Sequence, residues 1–342
     1  MQTRIALDPD TICDACTYKG KDGKRQRPIW KDSKTGNQYR PSYNISPGHH
    51  TPVMLSSKHC ASELEPLTER VIQPMYWGLV PSWHKGDPKK MAYGTNNCKS
   101  ETMLEKRTFK TPLEKGRRCV VLADGFYEWK KEGGVKQPYF FTSSLESSIK
   151  SESEDIKPGN DLLKFDPKEQ ERKSKQEIKS EPGQDEMTDR EEKESIEEKK
   201  PLLMMAGVFD ICYKSDGSEP LYSYSVLTVP ASSIMTNIHH RMPAILSNEE
   251  EVEKWLNFDE VALKEAVDVI KSQECLKFSP VSTFVNNSQN NSPECIKPIV
   301  ESKPKNLLTN WLSGSKKKTK EELKEEDEEE EEIVSKKVKL EK

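Results

Sequence analysis

Apolar residues run without a break from Cys119 to Ala123, and the run ends at Asp124-Gly125. A short continuous apolar stretch of this kind predicts a strand buried on both faces, and Asp-Gly predicts the bend after it. Strand patterns resume at LLMMAGVFDIC (202–212) and LYSYSVLTVPA (221–231), split by the turn string KSDGSEP. The rest of 1–143 reads as loops and short strands. Ser247, three residues before Glu250, predicts a capping box that opens the helix EEEVEKWL. Val261, Leu263, Ala266, Val267 and Ile270 recur at helical spacing, so 259–271 is expected to be a second helix with that stripe on the core. FSPVSTFVNNS (278–288) is the last strand expected. The pattern predicts one strand-rich α+β domain, 1–143 joined to 201–300, with peripheral helices.

The pattern fails in two places. Residues 144–200 lose all but one of their aromatics to Ser, Glu and Lys and predict a disordered charged insertion; 301–342 predicts a disordered Lys/Glu-rich tail. Composition agrees, with 33% hydrophobic and 33% charged residues. Residues 151–200 carry 17 acidic and 11 basic side chains, and 315–342 carry 11 and 9. The remainder holds 34 basic and 30 acidic residues, a balance of +4 within a chain of net −4. A mildly basic folded part suits a polyanionic partner.

No apolar run is long enough for a membrane span, and no signal segment is expected. Eight cysteines in such a chain predict free thiols in a reducing compartment. Cys13 and Cys16 are spaced like half a zinc site, but no second pair follows, so they are expected to be structural thiols with no metal. No cofactor fingerprint is present.

Four stretches hold candidate chemistry. Glu128 stands between Tyr127 and Trp129 just past the buried strand, and a partly desolvated carboxylate there suits general acid/base work. His239 and His240 precede Arg241-Met242-Pro243 and could move protons beside a cation. In an extended segment, however, adjacent imidazoles are expected to point opposite ways. Asn96, Asn97 and Lys99 offer amides and a point charge for phosphate. Trp83 and Tyr93, interleaved with Lys85, Lys89 and Lys90, fit stacked bases and paired phosphates of single-stranded nucleic acid. Each also reads as an ordinary feature: a strand-end Glu, a loop His, a polar turn, core aromatics under a wet lysine loop.

Taken in order, PSYNISP (41–47), WGLVPSW (77–83), NNCKSET (96–102), RRCVVLADGFYEW (117–129), IHHRMPAIL (238–246) and VNNSQNN (285–291) closely resemble the SRAP family, named for SOS-response-associated peptidases. The resemblance implies one α+β domain around a β-barrel-like sheet with a basic DNA cleft. It implies a sensor of abasic sites in single-stranded DNA at replication forks, one that forms a DNA–protein crosslink. An N-terminal cysteine, freed by self-cleavage of Met1, would close a thiazolidine on the open sugar, which makes the family both lyase and autopeptidase. Glu128, His239 and Asn97 then take the catalytic positions, and Arg4, Lys99, Trp83, Tyr93 and Arg241 the DNA-binding ones. The alternative is a non-covalent binder of damaged or modified DNA.

The start departs from the family's Met-Cys-Gly-Arg: Met1, Gln2, Thr3 and Arg4 keep the arginine and lose the nucleophile. A thiazolidine needs amine and thiol on one residue, so Cys13 and Cys16 cannot substitute. The amine of Met1 is expected one residue too early. Either the chain does not crosslink, or its start reflects an alternative first exon, which the intact remaining motifs favour. Lys99 replaces the family's usual Arg, keeping the charge without the bidentate fork.

The additions carry shorter signals. IKSE at 149–152 and 178–181 matches a SUMO-attachment pattern, with SUMO or ubiquitin as partner. Leu307, Leu308, Trp311 and Leu312 share a helical face, a docking motif for a replication sliding clamp. Lys316–Lys320 and SKKVKLEK resemble import signals, so a nuclear monomer is expected.

Overall fold

The buried run at 119–123 is the centre of the protein. The computed structural model describes residues 1–32, 39–60, 68–87, 94–145, 201–213, 217 and 219–299. Tyr93, Lys89, Lys90, the insertion beyond Leu145 with its IKSE strings, and the tail with the 307–312 and import motifs lie outside the described residues. Met1–Pro298 form one compact unit.

In chain order the strands are β1 (Gln2–Ile5), β2 (Tyr18–Lys19), β3 (Arg25–Gln26), β4 (Ile29–Trp30) and β5 (Ser42–Ile45). There follow β6 (His50–Ser56), β7 (Arg70–Trp77), β8 (Asn97–Lys99), β9 (Arg118–Ala123) and β10 (Gly125–Glu132). The last are β11 (Val135–Ser143), β12 (Leu203–Cys212), β13 (Leu221–Pro230), β14 (Arg241–Pro243) and β15 (Leu276–Pro280). The larger sheet runs β14-β13-β12-β9-β6-β7-β4, and a parallel contact of β13 with β7 closes β13, β12, β9, β6 and β7 into a ring. All six residues of β9 are buried between β12 and β6, 119–123 as their apolar run requires and Arg118 with them. The second sheet runs β15-β11-β10-β1-β5, with the first strand of the chain inside it. The result is α+β and strand-rich, as expected.

The Asp124-Gly125 bend passes the chain from the ring sheet (β9) to the second sheet (β10). A Cβ on Gly125 would lie 2.3 Å from the Phe141 carbonyl oxygen and 2.5 Å from the Phe140 ring. Glycine is required there by close approach to β11. Asp124 locks the bend: its backbone N–H donates to Arg4 O (2.8 Å), and its carboxylate accepts from Arg4 Nη1 (2.6 Å) and Ala6 N (2.9 Å).

Several expected elements shift. Two helices, α1 (Pro9–Ala15) and α2 (Arg107–Glu114), lie where only loops and short strands were expected. The N-cap of α1 is Asp8, whose carboxylate accepts from Thr11 N at 2.9 Å, with Pro9 at the first turn. The capping box falls one residue late. Asn248 caps α3 (Glu249–Leu256) by accepting from Glu251 N, and the Glu251 carboxylate accepts from Ser247 N (2.8 Å). The 259–271 helix is reduced to α4 (Leu263–Ala266) and a 3-10 turn, Val267–Val269, although its apolar stripe does pack on the core. The last strand stops at Pro280, because Ser282 accepts from Phe284 N and starts a 3-10 turn, Thr283–Asn286. None of the eight cysteines is joined in a disulfide. Burial pushes the Cys13 thiol up to about 11 and the Cys16 thiol to about 12, which leaves both inert at neutral pH.

Gly125→Ala is expected to lower stability by about 1–3 kcal/mol, because the backbone carbonyl of Phe141 cannot move aside cheaply. A urea melt whose midpoint matches wild type would show that the bend has room the packing does not indicate.

Candidate active site

The site is built by strand register. Gln2 pairs with Tyr127, Thr3 with Phe126 and Arg4 with Gly125, antiparallel. Continued by one residue, this register sets Met1 opposite Glu128. The α-amine of Met1 lies 3.2 Å from Glu128 Oε1, and both groups are nearly buried. The amine expected one residue too early is therefore in contact with the carboxylate. Beyond Tyr127, no strand pairs with that edge of β10 among the described residues.

A cleft of about 370 Å³ opens at this step. Glu128, Trp129, Lys131, Lys136, His239 and Asn286 line it. Glu128 belongs to the second sheet, and His239 comes from the turns joining β13 to β14 on the ring sheet. His239 Nδ1 lies 2.9 Å from Arg241 O and 3.1 Å from Arg241 N. Either tautomer uses Nδ1 on this backbone, which leaves Nε2 to exchange a proton with a ligand. The imidazoles of His239 and His240 do not point opposite ways: their rings are 4.6 Å apart, because 233–238 is a run of turns rather than extended chain.

Other predicted residues gather elsewhere. β8 runs parallel to β13 with Lys99 opposite Thr228, and β14 lies on the other side with Pro243 opposite the same Thr228. Arg241 reaches across this junction. Nη2 donates to Thr228 O and to Glu101 Oε2 (2.9 Å), and Nη1 to Glu101 Oε1. The arginine fork is thus already occupied by a carboxylate, and the Arg241 backbone holds His239. The guanidinium in turn holds the Glu101 carboxyl down to about 2. Asn97 is half-buried, and its Oδ1 has no hydrogen-bond partner, as is also true of Gln2 Oε1. Arg4 is tied to Asp124 with its guanidinium 4.8 Å from the Tyr43 ring centroid. Lys99 is exposed, and Trp83 is 48% exposed beside Arg107. The structure brings Glu128 and His239 into one cleft; Asn97, Lys99, Arg241, Arg4 and Trp83 do not line it.

Sequence reasoning missed Met1, Asn286, Lys131 and Lys136. Asn286 Oδ1 accepts from Trp129 Nε1 at 2.6 Å and so fixes the indole at the cleft wall. The loop bearing Asn286 is held by PSYNISP. Asn44 Nδ2 donates to the carbonyls of Val285 (3.2 Å), Asn287 and Asn290 (both 3.1 Å), and Tyr43 N donates to Asn291 Oδ1 (2.7 Å). Two of the matched motifs are therefore one fastening.

Two interlocked sheets, with the N-terminal strand inside one and a carboxylate–imidazole cleft at its tip, define a class of single-domain α+β proteins. A crystal structure of a protein from Bacteroides thetaiotaomicron shares the fold, covering 87% of this chain and 99% of that one with a TM-score of 0.57 at 19% identity. The family model described as SOS response associated peptidase (SRAP) matches residues 4–288. The chain belongs to that family. It is 42% identical over 325 residues to the protein named Abasic site processing protein HMCES in Gallus gallus, covering 92% of this chain and 84% of that one. The Xenopus tropicalis protein of the same name is 43% identical over 305 residues (89% and 79%). Abasic site processing protein YoqW of Bacillus subtilis is 27% identical over 263 residues (76% and 87%).

The Glu101 clasp has a predictable pH range. A carboxyl held below its ordinary 4.5 adds stability above that pH and loses it as pH falls through about 2. The melting-temperature gap between wild type and Glu101→Gln is expected to be constant above pH 5 and to close on acidification from 4.5 toward 2. A gap that stays constant over this range would mean that Arg241 does not hold the carboxylate in solution.

Proposed function

We propose that this chain recognises abasic sites in single-stranded DNA, as a nuclear DNA-damage protein, and receives the ring-opened sugar at the Met1–Glu128–His239 cleft. The observation that carries this reading is the α-amine of Met1, 3.2 Å from Glu128, which itself lines the cleft. The names of the curated relatives point to the same lesion. An open-chain abasic sugar is an aldehyde, and an amine adds to its carbonyl carbon. Glu128 takes the ammonium proton, which frees the nitrogen lone pair. The amine attacks and gives a carbinolamine. Glu128 returns the proton to the carbinolamine hydroxyl, which leaves as water as the C=N bond forms. His239, which lines the same cleft, assists ring opening by accepting or giving the sugar's proton.

Gln2 sets the limit of this chemistry. Its carboxamide cannot add to the imine as a thiol does, so the adduct formed by this chain is a hydrolysable imine rather than a thiazolidine. The same residue favours the second reading, recognition without a covalent step.

Borohydride separates the two, because it reduces an imine to a stable amine. With abasic single-stranded DNA and borohydride the chain is expected to give an adduct at Met1, and none with a tetrahydrofuran analogue that lacks the aldehyde. Glu128→Gln is expected to slow the reaction by about 10²-fold. The double variant Gln2→Cys/Thr3→Gly, whose small second residue permits loss of Met1, is expected to give an adduct that survives heating without reductant. If neither chain is trapped, the covalent step is wrong and only binding remains. If abasic DNA is also bound no better than intact DNA, the whole reading is wrong.

A further inference from the structure

The hairpin of β10 and β11 contains a pairing that costs stability. Lys131 is directly opposite Lys136, and both are exposed. Like charges facing one another across antiparallel strands repel. Among the described residues neither lysine has a carboxylate partner, whereas Arg4, Arg27, Arg70 and Arg241 all do. The two ammonium groups line the same cleft as Glu128 and His239. Asn286 holds this wall in place: Oδ1 fixes the Trp129 indole, and Nδ2 donates to the Lys136 carbonyl (3.4 Å). Lys131 is three residues along β10 from Glu128, about 10 Å at ordinary strand rise.

We propose that Lys131 and Lys136 form a phosphodiester subsite that grips the DNA backbone beside the sugar held at Glu128. The inference rests on the reading of the cleft given above and assigns the contact that sets the strand's register in it. The chemistry matches. Two cations without a counter-charge, at the mouth of a cleft and a short reach from the reacting aldehyde, attract the anionic linkage flanking that sugar. Bound phosphate also removes the repulsion between the lysines. The Trp129 ring, which cannot turn while Asn286 holds its N–H, forms a flat wall next to them.

The test uses the full chain and a single-stranded oligonucleotide with one central tetrahydrofuran site, so that binding is read apart from chemistry. Lys131→Gln/Lys136→Gln is expected to bind roughly five- to twentyfold more weakly at low salt. Its plot of log affinity against log salt is expected to be shallower by about 0.7 for each phosphate that the variant no longer neutralises. Its melting temperature is expected to equal or exceed wild type, since a like-charge pair is removed, so weaker binding cannot be ascribed to misfolding. Single methylphosphonate substitutions locate the gripped linkage: wild type loses affinity at one or two linkages beside the lesion, where the double variant loses nothing further. If wild type prefers the lesion but the double variant keeps its salt slope, or stays sensitive at every linkage, the subsite is wrong and the cleft reading stands. If wild type shows no preference for the lesion, the cleft reading itself is wrong.

Discussion

The antiparallel pairing of residues 2–4 with 127–125 is the constraint from which the site follows. β1 has β10 on one side and β5 on the other, so it cannot slip without breaking ladders on both edges. A one-residue slip would also turn Thr3 and Ile5, both buried, to the other face of the sheet. Asp124 fixes the register at the far end through Arg4 and Ala6. Once these contacts form, the amine of Met1 has one place to be, against Glu128.

The cleft is supported from behind by a chain of amides. Asn44 of β5 fastens the carbonyls of 285–290, the same loop carries Asn286, and Asn286 fixes Trp129. A bond made beside β1 therefore determines the angle of an indole at the cleft wall. On the ring sheet, β13 with β8 and β14 at its sides plays the corresponding part. Arg241 spans that junction through Glu101 and Thr228, and its backbone orients His239. The two walls thus come from different sheets, and each catalytic candidate is held by groups on its own side.

Much of the fold was legible because its central strands are continuous apolar runs. The stretches at 119–123, 202–212 and 221–231 could be read without knowing their partners. The short helices could not. α1 buries only Ile12 and Cys13 and shows no full period of a pattern, and α2 contains Pro112 in its last turn. Glu128 and His239 were legible as residues through the family motifs, and the structure places them in one cleft. Met1, Lys131 and Lys136 were not, since their positions depend on which residue faces which across a strand pair. Arg241 was visible as a cation, but its occupation by Glu101 depends on β8 and β14 meeting at the same threonine.

The first strand is flanked on both edges, and the amine of Met1 is nearly buried against Glu128. Any peptide joined ahead of this residue, whether a purification tag or a fusion partner, removes the charge that this amine sets against Glu128. Carboxy-terminal labels are therefore the sound choice for this protein. An amino-terminal one would cap the amine as an amide and leave Glu128 without its cation.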